Sequence, residues 1–276
     1  MTTPKSSDPR AFRAFEHDGW ESVASEYHNA FGRLTAQAIG PLLDAVGVGK
    51  GVRLLDVATG PGYVAAAAAE QGASAVGVDF SAVMVAHARR YYKGAEFREG
   101  DAEELPFPEG SFDAVVMNFG LLHLGRPDQA IAEAYRVLRP EGRAGFTVWT
   151  KPEEAVGFGI VLSAVKTHGN LDVPLPQGPP FFRFSDPAEF SRALLEVGFT
   201  SPRIVKVHQA WRFGSADGLF EAMKEGTVRT AGLLRAQTAE ALDAIRRATR
   251  DAVRAYEKDG VVELPMPAVL ASALKP

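Results

Sequence analysis

Short runs of strand-forming residues alternate with helical stretches from Val52 to Trp149. This spacing is typical of βαβ units, whose helices cover both faces of a mainly parallel sheet. The alternation therefore predicts an α/β fold before any single motif is considered. The runs predicted to form strands are Val52–Val57, Ser74–Asp79, Ala95–Glu99, Phe112–Met117 and Arg143–Trp149.

The second half of the chain adds further core elements to this pattern. The capping box Asp186-Pro-Ala-Glu189 predicts the start of a helix, and Gly198 predicts its end. Alternation of apolar residues predicts one more strand over Arg203–Trp211 and a last one from Val261 into the C-terminus. These elements would extend the same sheet.

Two insertions interrupt the core pattern. Lys151–Phe184 has poor periodicity and clustered prolines, which predicts a loop-rich segment. Ala216–Lys258 has helical periodicity, and its acidic and basic residues balance. We interpret the basic residues there, Arg229 among them, as part of a solvated helix face and not as a nucleic-acid patch.

Composition excludes several classes of function. The chain of 276 residues has no cysteine, which excludes disulfides, cysteine nucleophiles and cysteine-ligated metals, and we predict no metal site. The net charge of −4 gives no footprint for a nucleic-acid partner. No apolar stretch of about 18 residues is present to cross a membrane, and Met1–Arg10 lacks the apolar core of a signal peptide. We therefore expect a cytoplasmic protein.

A glycine-containing loop follows the first predicted strand directly, as Asp56-Val-Ala58-Thr-Gly60-Pro61-Gly62. Glycines at the carboxyl end of a strand let a ligand approach the backbone closely. Asp79 ends the second predicted strand, where a carboxylate can accept hydrogen bonds from the hydroxyls of a ribose. Asp101 follows the third, where it can accept from an adenine amino group. All three sites are predicted to lie along one edge of the sheet.

These motifs resemble the class I S-adenosylmethionine-dependent methyltransferases of quinone biosynthesis and small-molecule metabolism. The resemblance covers about Leu42–Trp149 and implies a Rossmann-like, doubly wound, mostly parallel sheet of seven strands with a helical N-terminal cap and helical lid insertions. It also implies S-adenosylmethionine as cofactor. The family pattern has glycine in many members where this chain has Ala58. The cofactor-binding residues implied are Tyr27, Asp56, Ala58, Gly60, Pro61, Gly62, Asp79, Phe80, Met84, Asp101, Ala102, Asn118 and Phe119.

In the family, each part of this set has its own role. Asp56 shapes the loop, and the loop glycines lie against the methionine part of the cofactor. Asp79 holds the ribose, while Asp101 and Ala102 contact the adenine, which Phe80 and Met84 flank. Asn118 and Phe119 line the place where the methyl group is transferred.

The resemblance implies a division of the chain into functional regions. Residues 1–40 would form the N-terminal helical cap, and residues 41–150 the S-adenosylmethionine-binding core. Residues 151–185 and 215–260 would form the insertions that build the acceptor pocket and its lid. Residues 186–214 and 261–276 would supply the remaining core elements.

Other functions stay open from the sequence. Gly60-x-Gly62-x-x-Ala65 also satisfies a loose dinucleotide pattern, although the acidic residues and the absence of a Tyr-x-x-x-Lys pair disfavour a nicotinamide dehydrogenase. A nucleic-acid methyltransferase is disfavoured by the charge of the chain and because Asn118-Phe-Gly-Leu lacks the Asn-Pro-Pro-aromatic pattern of DNA amine methylation. A binding module that senses S-adenosylmethionine without catalysis satisfies the same cofactor motifs.

His123 is the candidate general base because it follows the fourth predicted strand, near the cofactor edge. Methyl transfer depends mainly on alignment in a dry site, so a base is needed only for acceptors that lose a proton. The alternative is that His123 only packs or hydrogen-bonds to the backbone.

Aromatic residues outside the core suggest how the rest of the pocket is built. The segment Phe12–Ile39 is predicted to be helical, and Tyr27 could contact the sulfonium or belong, with Trp20 and Phe31, to the apolar stripe of a docked helix. A small organic acceptor is predicted, and a homodimer through the insertions stays open. The residues expected either to line the acceptor side or to form a small core of the insertions themselves are Phe158, His168, Phe181, Phe182 and Trp211.

Overall fold

A sheet of seven strands forms the centre of the described residues, 8–276, of the computed structural model. Residues 1–7, which belong to the predicted N-terminal cap, lie outside the described part. The strands of this sheet and of a second, smaller sheet are numbered in chain order: β1 (Arg53–Val57), β2 (Ser74–Asp79), β3 (Glu96–Glu99), β4 (Phe112–Asn118), β5 (Leu138–Trp149), β6 (Thr200–Val207), β7 (Ala210–Phe213), β8 (Glu257–Lys258), β9 (Val261–Pro265) and β10 (Ala268–Leu274).

The strand order of the large sheet is β3-β2-β1-β4-β5-β10-β6. Strands β1 to β5 pair in parallel, and β10 runs antiparallel between β5 and β6. The mostly parallel sheet of seven strands predicted from the sequence is confirmed. The chain moves outward in one direction from β1 to β3 and in the other from β4 to β5. A crevice for ligands therefore opens at the carboxyl ends of β1 and β4, where the direction changes.

Helices cover the sheet and extend beyond it. Helices α3 and α4 pack against each other and against inner strands, while α6 and α8 form a second packed pair. No helix among residues 8–276 combines the length and the apolar character needed to cross a bilayer. The helices are α1 (Pro9–Tyr27), α2 (Arg33–Thr35), α3 (Ile39–Val46), α4 (Tyr63–Glu70), α5 (Ala82–Tyr91), α6 (Pro127–Val137), α7 (Val156–His168), α8 (Pro187–Val197), α9 (Gly218–Glu225), α10 (Arg229–Arg235) and α11 (Ala239–Val253).

The ends of α8 follow the signals in its sequence. The Asp186 carboxylate accepts a hydrogen bond from the Glu189 backbone N–H at 3.4 Å, and Gly198 ends the helix in the left-handed region at φ 111°. The Glu189 side chain does not complete the predicted capping box with Asp186. Its carboxylate instead pairs with Arg183 and Arg192, because two guanidinium groups are within reach.

The prediction of a loop-rich segment over Lys151–Phe184 is wrong for its first half, which contains α7. This helix buries Phe158, Val161 and Val165 and packs against α11. Its sequence is apolar around most of its circumference, so the contrast between faces that identifies an amphipathic helix is weak. Tertiary packing stabilises α7, and the weak periodicity of its sequence does not predict it.

Two strands predicted as continuous are each divided between the sheets. The predicted strand Arg203–Trp211 forms β6 in the large sheet and β7 in the small one, and the chain after Val261 forms β9 and then β10. The small sheet has the order β7-β9-β8. The two crossings lie side by side, where the Met266 N–H donates to the Gln209 carbonyl at 2.9 Å. Apolar residues continue to alternate where the chain passes from one sheet to the other, so the sequence does not show where each strand is divided.

The described part of the N-terminal cap is helical, as predicted. Helix α1 continues through a π-helical turn at His28–Gly32 and through α2 into α3. Phe12 and Val23 are buried on the inner face of α1, which packs against α5 and α9. This helix therefore lies across the carboxyl edge of the sheet, where the crevice opens.

The loop after β1 allows a direct test of why its glycines are there. A Cβ atom on Gly62, where φ is 93°, would lie 2.8 Å from the Phe97 ring and 2.9 Å from Ala88, whereas one on Gly60, at φ 52°, would meet nothing within 4 Å. Gly62→Ala should therefore lower the free energy of unfolding by about 2–4 kcal/mol through backbone strain and overpacking. Gly60→Ala should cost only about 1 kcal/mol. Urea unfolding measures both, and equal losses would contradict this explanation.

Candidate functional site

A pocket lies at the carboxyl ends of β1, β2, β4 and β5, with α1 and the turn between α9 and α10 on its other side. It holds about 1120 Å³ of space between atoms, part of it open to solvent. Most of the site residues predicted from the sequence line it. These are Tyr27, Ala58, Gly60, Pro61, Asp79, Phe80, Met84, Asp101, Ala102, Asn118, Phe119 and His123.

Asp56 lies beneath the pocket and does not line it. Its Oδ2 atom accepts hydrogen bonds from the Thr59 hydroxyl at 2.5 Å and from the Ala65 backbone N–H at 3.1 Å, while Oδ1 is buried without a described partner. Burial raises the pKa of Asp56 to about 7, although the two hydrogen bonds act in the opposite direction. Asp56 therefore connects the loop to the first turn of α4, as its predicted shaping role requires.

The two glycines of the loop have different surroundings. Gly60 lines the pocket, and the space where its Cβ would be is open, so a ligand can approach its backbone. Gly62 instead faces inward onto Phe97 and Ala88 and does not line the pocket. Its predicted contact with the cofactor is therefore not a feature of this geometry, because Phe97 of β3 and Ala88 of α5 pack against that face.

Two residues at the mouth of the pocket have strained backbones. Ala58 has φ 53° and Phe119 has φ 59°, and they directly follow β1 and β4. A positive φ costs an L-residue of this kind roughly 1–2 kcal/mol, and such strain is often found at ligand sites. The glycine that many relatives have in place of Ala58 avoids this cost. At Phe119 the strain turns the ring onto Trp149, with ring centroids 4.0 Å apart.

Asp79 is buried at the end of β2, with a carboxylate that faces the loop. Its Oδ2 accepts from the Gly60 N–H at 2.8 Å and its Oδ1 from the Ser81 N–H at 2.9 Å. Burial raises the pKa of Asp79 to about 6, and these two hydrogen bonds oppose the rise. A carboxylate has about four acceptor sites, so two remain for a ligand on the pocket side.

Asp101 lies at the far end of the same wall, beside Ala102. Its Oδ1 accepts from the Glu103 N–H at 2.9 Å, and its Oδ2 forms an ion pair with Arg13 of α1 at 2.8 Å. The sequence did not suggest this arginine as a site residue. Arg13 connects the cap directly to the carboxylate predicted to contact adenine. Phe80 and Met84 line the pocket between Asp79 and Asp101 in chain order.

Asn118 joins the sheet to the cap. Its Oδ1 accepts from the Thr147 hydroxyl at 2.6 Å, and its amide donates to the Thr35 carbonyl at 3.2 Å. The Thr35 hydroxyl lies 3.3 Å from the Tyr27 hydroxyl. Burial raises the pKa of Tyr27, which keeps this phenol neutral. Tyr27 lines the pocket and packs against Phe31, and its contact with the sulfonium stays a prediction.

His123 has a carboxylate partner that the sequence did not suggest. Its Nδ1 lies 3.0 Å from Oε2 of Glu16, a fully buried residue of α1, and the Trp20 indole N–H donates to the same oxygen at 3.1 Å. A carboxylate can only accept, so Nδ1 carries the proton and Nε2 is free to accept one. Trp20 and Phe181 also contact the edges of the imidazole. This geometry supports a base in place of a purely structural histidine.

The acceptor side of the pocket is aromatic, but it contains only part of the predicted set. Phe158 and Phe181 line the pocket together with Trp149. Phe182 and Trp211 stand behind them: Phe182 packs on Phe158 and Phe181, and the Trp211 indole donates to the Ala30 carbonyl at 3.0 Å. His168 is exposed at the end of α7, away from the pocket. His168 is the last residue of α7 and its side chain faces solvent, which the residue type alone could not predict.

Arg229 corrects the interpretation of residues 216–258 as a uniformly solvated helical segment. It begins α10 and lines the pocket, with its guanidinium 5.1 Å from the Phe12 ring centroid and 5.3 Å from that of Phe181. Burial lowers the pKa of Arg229, and the Glu16 carboxylate acts in the opposite direction. The balance of charges over residues 216–258 did not identify Arg229, because a charge count does not show which way a single side chain points.

One of the missed residues had a signal in the sequence. Glu16 lies at helical spacing between Phe12 and Trp20, on the face of α1 that is otherwise apolar. An acidic residue on a buried face is rare unless it has a partner, and this pattern indicates a functional or buried pair. Arg13 and Arg229 had no comparable signal. Among the described side chains, which do not include those of residues 1–7, 24–26 and 29, no group of three or more histidine, aspartate or glutamate residues is arranged to hold a metal ion.

Comparison with known proteins connects this site to characterised sequences. A sequence-family profile described as a methyltransferase domain matches residues 55–146. The demethylmenaquinone methyltransferase of Beutenbergia cavernae is 42% identical over 121 residues, which are 42% of this chain and 50% of that protein. The demethylmenaquinone methyltransferase of Paenarthrobacter aurescens is 30% identical over 185 residues, which are 61% of this chain and 73% of that protein.

The sequence similarities cover only part of each relative, and the structural similarity concerns the fold. The chain spans about half the length of the curated relatives that match it at 40% identity or more. The crystal structure of a putative methyltransferase from Bacillus halodurans superimposes with a TM-score of 0.57 at 21% identity, over 86% of this chain and 98% of that one. That similarity shows a shared fold.

The buried charge of Asp56 predicts a pH-dependent stability. With a folded pKa of about 7, above the unfolded value, Asp56 keeps its proton in the folded state, so its contribution to stability is present at low pH and is lost as pH rises through 7. This one group should lower the free energy of unfolding by roughly 2 kcal/mol between pH 5 and pH 8. Asp56→Asn should reduce that loss, whereas the exposed control Asp251→Asn should not. Urea unfolding at both pH values measures it, and parallel curves for wild type and Asp56→Asn would contradict the assignment.

Proposed function

Because the chain belongs to the class I S-adenosylmethionine-dependent methyltransferases, we propose that it binds S-adenosylmethionine and transfers its methyl group to a small organic acceptor in the pocket described above. Family membership confirms the resemblance recognised in Asp56, Asp79 and Asp101. The observation that supports the activity is that one cavity contains both an acidic, backbone-lined wall and an aromatic wall with a histidine.

The residues on the first wall fit the cofactor. Asp79 has acceptor sites left for the two ribose hydroxyls, and Gly60 presents bare backbone beside it. Phe80 and Met84 offer apolar contacts for a flat base, and Asp101 can accept from its amino group. When bound, the cofactor supplies a methyl group on a sulfonium, a very good leaving group that becomes a neutral thioether. Tyr27 and Phe119 present aromatic rings to the same cavity, which suits a cation.

The second wall suits a small acceptor. Trp149, Phe158 and Phe181 exclude water from the place where the acceptor would be aligned for in-line transfer. His123 Nε2 can take a proton from an oxygen, nitrogen or acidic carbon of the acceptor, while Glu16 holds the ring. Both insertions contribute to this wall, through Phe158 and Phe181 and through the α9–α10 turn, which supports their proposed role as acceptor pocket and lid.

Competing functions differ in what supports them. The family assignment sets aside the nicotinamide dehydrogenase considered from the sequence. A nucleic-acid methyltransferase and a non-catalytic sensor of S-adenosylmethionine remain as alternatives. The net charge of −4 and the carboxylates of Asp79, Asp101 and Glu103 on the pocket wall disfavour the first. The matched relatives carry the name demethylmenaquinone methyltransferase, which favours a quinone-like acceptor. A cytoplasmic location and a homodimer remain predictions from the sequence.

Two measurements test the proposed function. Isothermal calorimetry should show binding of S-adenosylhomocysteine and not of NAD, because the carboxylates of Asp79, Asp101 and Glu103 on the pocket wall repel the anionic diphosphate of NAD. Transfer of a labelled methyl group should then be detected with a panel of small quinols, phenols and amines, but not with duplex DNA or RNA. Binding of S-adenosylhomocysteine without transfer to any acceptor would favour the non-catalytic sensor.

Asp79 should make cofactor binding depend on pH. Ribose hydroxyls donate to the ionised carboxylate, and burial raises its pKa to about 6. Affinity for S-adenosylhomocysteine should therefore be constant above pH 7 and fall by up to about tenfold per pH unit below 6. Asp79→Asn should weaken binding about ten- to a hundredfold at pH 8 and abolish this dependence. Asp56→Asn is the control and should keep the dependence; calorimetry across the pH range decides.

His123 should affect turnover and not cofactor affinity. His123→Ala should lower kcat about 10²- to 10⁴-fold for an acceptor that must lose a proton, with affinity for S-adenosylhomocysteine almost unchanged. Glu16→Gln should lower kcat less and alter the pH profile, because the glutamine amide holds the imidazole without its charge. His168→Ala, a histidine outside the pocket, is the matched control. Wild-type rates for His123→Ala across a pH series would exclude an essential base.

A further inference from the structure

Arg229 is a cation on the wall of an otherwise aromatic acceptor pocket. It lies between Phe12 and Phe181, whose ring centroids are 5.1 and 5.3 Å from its guanidinium carbon. Its Nη atoms donate to the Pro179 carbonyl at 3.2 and 3.3 Å and, weakly, to the Leu122 carbonyl at 3.5 Å. These contacts fix the plane of the guanidinium, so its position in the pocket is determined by the fold.

The described partners of Arg229 are all neutral. Most other arginines near this site are paired with a carboxylate: Arg13 with Asp101 and Arg126 with Glu103. Among the side chains that the structure describes, which leave out those of residues 1–7, 24–26 and 29, no carboxylate oxygen forms an ion pair with the Arg229 guanidinium. Two backbone carbonyls use only part of its five N–H donors. The Glu16 carboxylate acts on Arg229 only from a distance and is already bonded to His123 and Trp20. A half-buried guanidinium with unused donors and no carboxylate bonded to it is costly unless a ligand supplies that charge.

The position of Arg229 relative to His123 indicates what that ligand is. Both side chains contact Phe181, and the carbonyl of Leu122, which Arg229 contacts, directly precedes His123 in the chain. A base that removes a proton from the acceptor leaves a negative charge on it, and a nearby guanidinium stabilises that charge. Phe158 and Trp149 line the same pocket with their ring centroids 5.7 Å apart, and Phe158 also packs against Phe181, so these rings form one aromatic wall. The site therefore fits a planar group with an oxygen that becomes anionic.

We propose that Arg229 is the anion-binding residue of the acceptor site and that the acceptor is a planar phenol or enol, held as its oxyanion by Arg229 after its proton passes to His123 Nε2. This inference rests on the proposed methyltransferase function and names the substrate class of that site. The oxygen or the ring carbon conjugated with it is then electron-rich enough to attack a methyl group. An amine acceptor gains nothing from a cation at this position.

Arg229 also has a structural role, which any test must separate from binding. Its contacts with Pro179 and Phe12 join the two insertions and α1, so its replacement alters packing as well as charge. Arg229→Lys keeps a positive charge with a single ammonium, and Arg229→Met keeps an apolar stem without charge. Arg235, exposed on the same helix and outside the pocket, provides the matched control Arg235→Met.

The experiment uses 4-nitrophenol, whose ionised form absorbs visible light, and 4-nitroanisole, which has the same ring but cannot ionise. Both are titrated into the full chain saturated with S-adenosylhomocysteine. At a pH where the phenol is ionised, wild type and Arg235→Met should bind it about tenfold or more tightly than the ether. Arg229→Met should lose this preference, and Arg229→Lys should keep part of it. The bound phenol should also ionise at lower pH in wild type than in Arg229→Met.

The possible outcomes separate the two proposals. Equal preference for the phenolate in wild type and folded Arg229→Met, or no preference in wild type, would overturn the role of Arg229. If Arg229→Met does not fold, judged by thermal unfolding, the comparison of wild type with Arg229→Lys decides, and an unchanged preference there overturns the proposed binding of the oxyanion by the guanidinium. Failure of wild type to bind S-adenosylhomocysteine in calorimetry would instead contradict the proposed function itself.

Discussion

The buried carboxylate of Asp56 fixes the loop on which the rest of the site depends. By accepting hydrogen bonds from Thr59 and from the first turn of α4, it sets the path of the chain from β1 into that helix. This path gives Gly60 its exposed backbone and places its N–H on Asp79. One buried acid therefore positions a second, and the two carboxylates are held by backbone N–H groups and the Thr59 hydroxyl.

Helix α1 completes the pocket from the opposite side. It supplies Arg13 to Asp101 and Glu16 to His123, while Tyr27, at its end, connects through Thr35 to Asn118. The carboxyl edge of the sheet and the cap thus share polar contacts along the length of the cavity. We infer that displacement of α1 would uncover the cofactor wall and the base at the same time, because the same helix covers both.

The sequence predicted the site residues that local patterns place, and it missed most of those placed by contacts between distant parts of the chain. Asp79 and Asp101 were predictable because each follows a strand of a parallel sheet, and parallel strands end at one edge. His123 was predictable for the same reason. Arg13 and Arg229 were not, because each reaches the pocket from an element whose docking depends on distant packing. Glu16 had a signal, as an acid on an apolar helix face, but the sequence did not show which residue it pairs with. Phe182 and His168 show the converse error, since residue type indicated a role that their positions do not support.

By itself, the sequence determined the parallel core, the site residues at the carboxyl ends of its strands and the identity of the cofactor loop. These depend on local propensity, short turns and the regular geometry of βαβ units. Only the tertiary structure decided where β6 and β9 leave one sheet for the other, which acid holds His123 and whether Arg229 faces solvent or ligand. Those features depend on contacts between residues far apart in the chain, which alternation, periodicity and charge counts do not encode.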